Sequence, residues 1–127
     1  MHARASAAYR AVDLNSAPKH EIMFRLFDRF QHDLVVARTA IVAKDILGKN
    51  AAIDHALRIV TELEASLDHG RSPDLCANLE RLYKFVTDQI YQASMKLEIK
   101  PLESASKIMS DLATSFRGAR EQQVMQR

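Results

Sequence analysis

Five histidines, at positions 2, 20, 32, 55 and 69, and a single cysteine, Cys76, are the side chains with the most chemistry to offer in this 127-residue chain. A di-iron helical bundle needs Glu-x-x-His on two helices, so that a carboxylate and an imidazole face inward one turn apart. None of the seven glutamates has a histidine three positions on, and no two histidines stand four apart as a metal-binding helix would place them. His32 follows Asp28 by one helical turn. That spacing can orient an imidazole, but it is also the spacing of an ordinary solvated surface pair. Cys76 has no second cysteine and no neighbouring histidine, which excludes a disulfide framework and a cysteine-based zinc site. It reads instead as a structural, partly buried thiol that behaves as a small hydrophobe. The three glycines, at 48, 70 and 118, are too scattered to cradle a phosphate. No catalytic, metal or cofactor site is therefore expected, and the chain does not read as an enzyme.

The elements that would position any site follow from composition. The chain is 47% hydrophobic, with 18 alanines and 13 leucines against three Gly, three Pro and no Trp, enough for one domain with its own core. Lys and Arg exceed Asp and Glu by 18 to 16, giving a net charge of +2. Basic residues are interleaved with acids, as at Lys44-Asp45, Arg58 with Glu62 and Glu80-Arg81, and the arginines at 117, 120 and 127 are too sparse for a phosphate stripe. No nucleic-acid partner is expected. The first ten residues lack the run of about seven to fifteen apolar residues of a secretory signal, and no segment approaches the ~18 of a membrane span. A cytoplasmic protein without stable membrane insertion is the expectation.

Apolar residues recur at helical spacing between the breakers: Met23, Phe27, Phe30, Leu34, Ala37 and Ile41; then Ile53, Ala56, Val60, Leu63 and Leu67; then Leu75, Leu79, Leu82, Val86, Ile90, Ala93 and Leu97; and finally Leu102, Ala105, Met109, Leu112 and Phe116. This predicts helices over residues 18–43, 50–68, 73–97 and 101–119. Gly48 falls in the first connection, Gly70 stops the second helix, and Ser72-Pro73-Asp74 opens the third as cap, first position and dipole partner. Short connections between long amphipathic helices imply an all-α, antiparallel up-down four-helix bundle in one domain, 1–127. Residues 1–15 stand apart. They form at most a short helix with Ala8, Tyr9 and Val12 on one side, too short to hold alone, so the segment must dock and can be displaced. Apolar residues off the stripes either widen them or form a groove for an external helix.

Four passages carry a resemblance to a known family. They are Ala8-Tyr9 with Asn15-Ser16-Ala17-Pro18 and Ile22-Met23-Phe24-Arg25-Leu26-Phe27-Asp28; Lys44-Asp45-Ile46 leading to Glu62-Leu63-Glu64-Ala65-Ser66-Leu67-Asp68; Asn78-Leu79-Glu80-Arg81-Leu82-Tyr83; and Leu112-Ala113-Thr114-Ser115-Phe116. Together, over residues 8 to 117, the chain resembles the FliS-type flagellar export chaperones. It departs from them at Phe27, where tyrosine is usual, at Phe116, where tryptophan is common, and at Ser94, where asparagine often stands. The resemblance implies a cytoplasmic helical bundle that binds the disordered C-terminal segment of flagellin, prevents premature polymerisation and helps deliver it to the flagellar export gate of the type III apparatus. It also implies that the N-terminal segment covers part of the site, with Tyr9 and Val12 as the displaceable cap. Ile46, Leu47, Ile53, Leu57, Tyr83, Phe85 and Tyr91 are the candidate groove positions, expected to face outward. The alternatives are a client-free structural bundle, homodimeric without a client, and a basic helical nucleic-acid binder.

Overall fold

The computed structural model describes residues 2–12 and 17–125, so Asn15 and Ser16 of the first passage, and Arg127, lie outside the described residues. The described chain is all-helical: α1 (His2–Arg10), α2 (Ala17–Ala43), α3 (Ile46–Ala65), α4 (Pro73–Lys96) and α5 (Lys100–Met125). The four long helices pack in a ring, α2 on α3, α3 on α4, α4 on α5 and α5 back on α2, with no close backbone approach across the diagonals among the described residues. Along α2 and α5 the polar partners run in opposite directions. Asp28 meets Arg117, Gln31 meets Ser106 and Arg38 meets Glu103. α1 lies outside the ring and packs on α5 and, less, on α4.

The core follows the apolar spacing. Met23, Phe27, Phe30, Leu34 and Ala37 of α2, Ala56, Val60 and Leu63 of α3, and Leu102, Ala105, Met109 and Phe116 of α5 are all buried. On α4 the centre of the stripe is shifted by one position, because Cys76 and Tyr83 are buried and Leu75 and Leu82 only half-buried. A helix wedged between two neighbours buries a stripe wider than two positions in seven, and spacing alone does not say which edge lies deepest.

The helix ends differ from the expected ones, each for a local reason. α2 stops because Lys44 adopts a left-handed conformation, φ 58°, which lets the Asp45 N–H reach back to the Ala40 carbonyl at 2.8 Å. Gly48 is therefore not in the connection. It lies in the first turn of α3, where its N–H donates to Asp45 Oδ1 at 2.9 Å. A Cβ at Gly48 would come within 2.3 Å of Asp45 Oδ2, so glycine is what permits the cap. α3 ends at Ala65, short of Gly70, with Ser66 Oγ donating to the Leu63 carbonyl at 2.7 Å. Gly70 has no positive φ and stops nothing. Ser72 does occupy the N-cap position of α4, yet its side chain makes no capping bond. Its carbonyl accepts from Cys76 N–H instead, at 2.9 Å. α5 runs on past residue 119 to Met125 because its last turns pack against α1.

Two side-chain contacts tie helices that the sequence does not pair. The buried Asp33 of α2 accepts from His55 Nδ1 on α3 and lies 3.7 Å from Arg29 Nε. Asp28, rather than orienting His32, meets Arg117 Nη2 at 3.0 Å, and the same guanidinium lies over the Phe24 ring, 5.1 Å from its centroid.

Candidate functional site: the docked N-terminal segment

α1 is nine residues long. A helix of that length gains too few hydrogen bonds to stand alone in water. What holds it is Tyr9, which is only 2% exposed although it sits on the outermost element. Its ring stacks on His20 at a centroid distance of 5.3 Å and tilts against Phe116 at 5.9 Å, while its hydroxyl hydrogen-bonds His20 Nδ1. Phe116 in turn meets Phe27 edge-on at 6.0 Å. The aromatic contacts thus run from the surface segment into the bundle core.

The residues after α1 complete the attachment. Val12 forms an isolated antiparallel bridge with Leu67, and the Ala11 carbonyl accepts from Asp68 N–H at 2.8 Å. The Cys76 thiol lies 3.7 Å from the same carbonyl, and Ser6 Oγ donates to Gln122 Oε1 at 3.2 Å. This bridge explains the early end of α3: Leu67 and Asp68 leave the helical path and engage the N-terminal segment. Beneath the segment, burial first, and then the carboxylates of Asp68 and Glu80, push the Cys76 thiol up. Nearby, burial and then Glu80 raise the Glu64 carboxyl, and burial followed by Glu64 raises the Tyr83 hydroxyl.

The candidate residues fall into three groups. Tyr9 and Val12 come together at this end of the bundle, both buried. Ile46 and Leu47, in the first turn of α3, and Phe85 and Tyr91, on α4, are exposed. Ile53 and Tyr83 do not face outward: they are buried in the core at 3% and 1% exposure, each continuing the stripe of its helix, and Leu57 is half-buried against it. Sequence reasoning passed over His20, Ala11 and Ser6. A signal existed for His20, which extends the α2 stripe one turn ahead of Met23. Ala11 and Ser6 act through a backbone carbonyl and a long-range contact, for which residue type gives no sign. Beside the docked segment, Ile22, Met23 and Leu26 of α2 and Leu63, Ala65 and Ser66 of α3 line an open groove of about 350 Å³. Among the described residues no cluster of three or more His, Cys, Asp or Glu could hold a metal ion, and no helix is long and apolar enough to cross a membrane.

The comparisons with known proteins agree on one group. The family model described as Flagellar protein FliS matches residues 1–123. The flagellar secretion chaperone FliS of Salmonella typhimurium is 27% identical over 103 residues, covering 80% of this chain and 76% of the relative. The protein of the same name from Escherichia coli is 24% identical over 120 residues, 91% of this chain and 88% of the relative. That of Vibrio cholerae is 26% identical over 113 residues, 86% and 83% of the two chains. With the match extending from the docked N-terminal segment nearly to the end of α5, this chain belongs to the FliS family of flagellar proteins, a family of chaperones and not of enzymes.

Proposed function

We propose that the protein binds the disordered C-terminal segment of flagellin in the cytoplasm, keeps it from polymerising and hands it to the flagellar export gate. The observation that carries the reading is the docked N-terminal segment. It is a short helix that cannot persist alone, and it covers buried apolar groups, Phe116, Cys76 and Leu67, that need a cover. An incoming amphipathic segment takes the places of Tyr9 and Val12 and continues into the neighbouring groove beside Ile22 and Leu26. The exposed Ile46, Leu47, Phe85 and Tyr91 stay available for further contacts, whereas Ile53 and Tyr83 support the bundle from within.

The energetics suit a chaperone. The client orders as it binds, at a cost of roughly 2–5 kcal/mol, and the displaced cap competes for the same surface, so the complex is held and yet releasable. Isothermal titration of the full chain with a peptide from the C-terminal end of the cognate flagellin tests the reading. Heat on binding, with protection of the peptide from protease, is expected. A peptide that gives no heat and is digested as fast as when free refutes the client and leaves a bundle with no flagellin partner.

A further inference from the structure

The end of the bundle away from the cap has a surface of a different kind. Val42, Ile46 and Leu47 surround the α2–α3 connection, and Met95 and Leu97 the α4–α5 connection; Leu47 is 82% and Met95 74% exposed. The buried Lys49 joins the two connections into one surface by donating its ammonium to the Ser94 carbonyl at 2.9 Å. Along α4, Met95 lies nineteen residues beyond Cys76, about 28 Å at the rise of an α-helix, so the surface is a helix length from the cap.

Its rim is basic. Lys44, Lys96 and Lys100 are exposed, and none of them makes an ion pair among the described residues. The nearby carboxylates do not balance this charge: Glu103 is paired with Arg38 at 3.5 Å, which leaves Asp45 and Glu98 against Lys44, Lys96, Lys100 and the buried Lys49. The two non-glycine residues with positive φ, Lys44 at 58° and Leu97 at 55°, both belong to this surface. Glycine is the unstrained residue at such positions, so the chain keeps a lysine and a leucine there against a backbone cost.

We propose that this end is a docking surface for an acidic amphipathic helix of another protein. Its aliphatic side chains seat among Val42, Leu47 and Met95, and its flanking carboxylates meet Lys44, Lys96 and Lys100. Charge selects this occupant. A second copy placed by a two-fold axis would bring two surfaces of the same net positive charge together. A lipid surface would find neither Trp nor Phe at this end to anchor in it. The surface is independent of the client site at the cap, and Ile46 and Leu47 belong to this partner.

Two synthetic helical peptides with the same leucine spacing, one with glutamates and one with lysines at the flanking positions, test the proposal against the ¹⁵N-labelled full chain. The glutamate peptide should shift the amides around residues 42–50 and 91–100 and bind about tenfold or more tightly than the lysine peptide. Binding should weaken about tenfold in Leu47→Ser/Met95→Ser and in Lys44→Glu/Lys96→Glu/Lys100→Glu. If the triple reversal fails to fold, Lys96→Glu alone, with salt raised from about 50 to about 500 mM, reads the same charge dependence. Equal affinity for the two peptides, no binding of the glutamate peptide, or shifts gathered at the cap end overturns the proposal. Preferential binding to phosphatidylglycerol vesicles, or a doubled mass in light scattering that removes peptide binding, overturns it as well. A flagellin peptide that fails to bind leaves these shifts in place, so this experiment and that of the client reading fail separately.

Discussion

Replacing Tyr9 with alanine tests whether the N-terminal segment is a cap or part of the fold. Truncating a fully buried aromatic costs about 3–5 kcal/mol where the surroundings cannot respond. Here they can, because α1 is tied down by few groups and can leave the ring, so the loss falls on docking and not on the bundle. A shift of about 3 kcal/mol in docking corresponds to about a hundredfold rise in the undocked population. Cys76 reports that population. It is the chain's one cysteine, fully buried under the Ala11 carbonyl, with its thiol held protonated by burial. Alkylation should therefore run about a hundredfold faster in Tyr9→Ala, and affinity for the flagellin segment should rise by a similar factor as its competitor is removed. Tyr9→Phe forfeits only the hydrogen bond to His20, a net contribution of about 1 kcal/mol, and should fall between wild type and Tyr9→Ala in both measurements. The helical circular-dichroism signal should fall by no more than α1's nine residues, against 20 to 27 in each other helix. Unchanged alkylation in Tyr9→Ala refutes gating by the segment, and a general loss of helicity makes Tyr9 a core residue of the fold.

Three further outcomes follow from the packing. Gly48→Ala should be close to neutral in wild type, since a helix-propensity gain of up to about 1 kcal/mol offsets an Asp45 cap lost at about the same cost; in an Asp45→Ala background it should stabilise, and equal effects in both backgrounds by urea unfolding refute the clash. Phe116→Trp, toward the residue common in the family, should destabilise by about 1–3 kcal/mol because Tyr9 and Phe27 already enclose the ring, and an unchanged urea midpoint shows room that the packing denies. Because the Glu64 carboxyl is raised on folding, the folded chain holds that proton more tightly, and ionised Glu64 opposes folding at neutral pH. Glu64→Gln should therefore raise the urea midpoint at pH 7, with the gain vanishing as pH falls below the ordinary glutamate value of about 4.3; a gain that persists at low pH refutes this cause.

How much of this was legible depended on whether the deciding interaction was local. Pro73 at the start of α4 and Pro101 in the first turn of α5 act on their own backbone, and both helices begin where the prolines imply. Gly48 and Gly70 misled for the same reason in reverse. Glycine suits a helix stop, but here the stops are Lys44 in a left-handed conformation and Leu67 drawn into a bridge with Val12, and neither residue type advertises that role. Ile53 and Tyr83 lie on the inward edges of their helices, and only the positions of neighbouring helices decide whether such an edge is covered. Tyr9 was visible as the one aromatic of Phe, Tyr or Trp type on an alanine-rich segment, whereas its partner His20 needed α1 and α2 to be placed side by side.

The two ends of the bundle work by different physics. On the proposed function, an occupant of the cap end must displace the chain's own segment, so its apparent affinity scales with the fraction of open protein, and anything that stabilises α1 hastens release. At the lysine-rimmed end none of the described residues forms a covering segment that competes, and long-range attraction between unlike charges sets how fast a partner arrives. About 28 Å of continuous α4 separates Cys76 from Met95, well beyond the roughly 8 Å screening length at physiological salt. Charge at one end therefore has little direct effect on docking at the other. On these two proposals a partner can hold the basic end while the client is exchanged at the cap, which a chaperone with a single shared surface could not do without losing one of them.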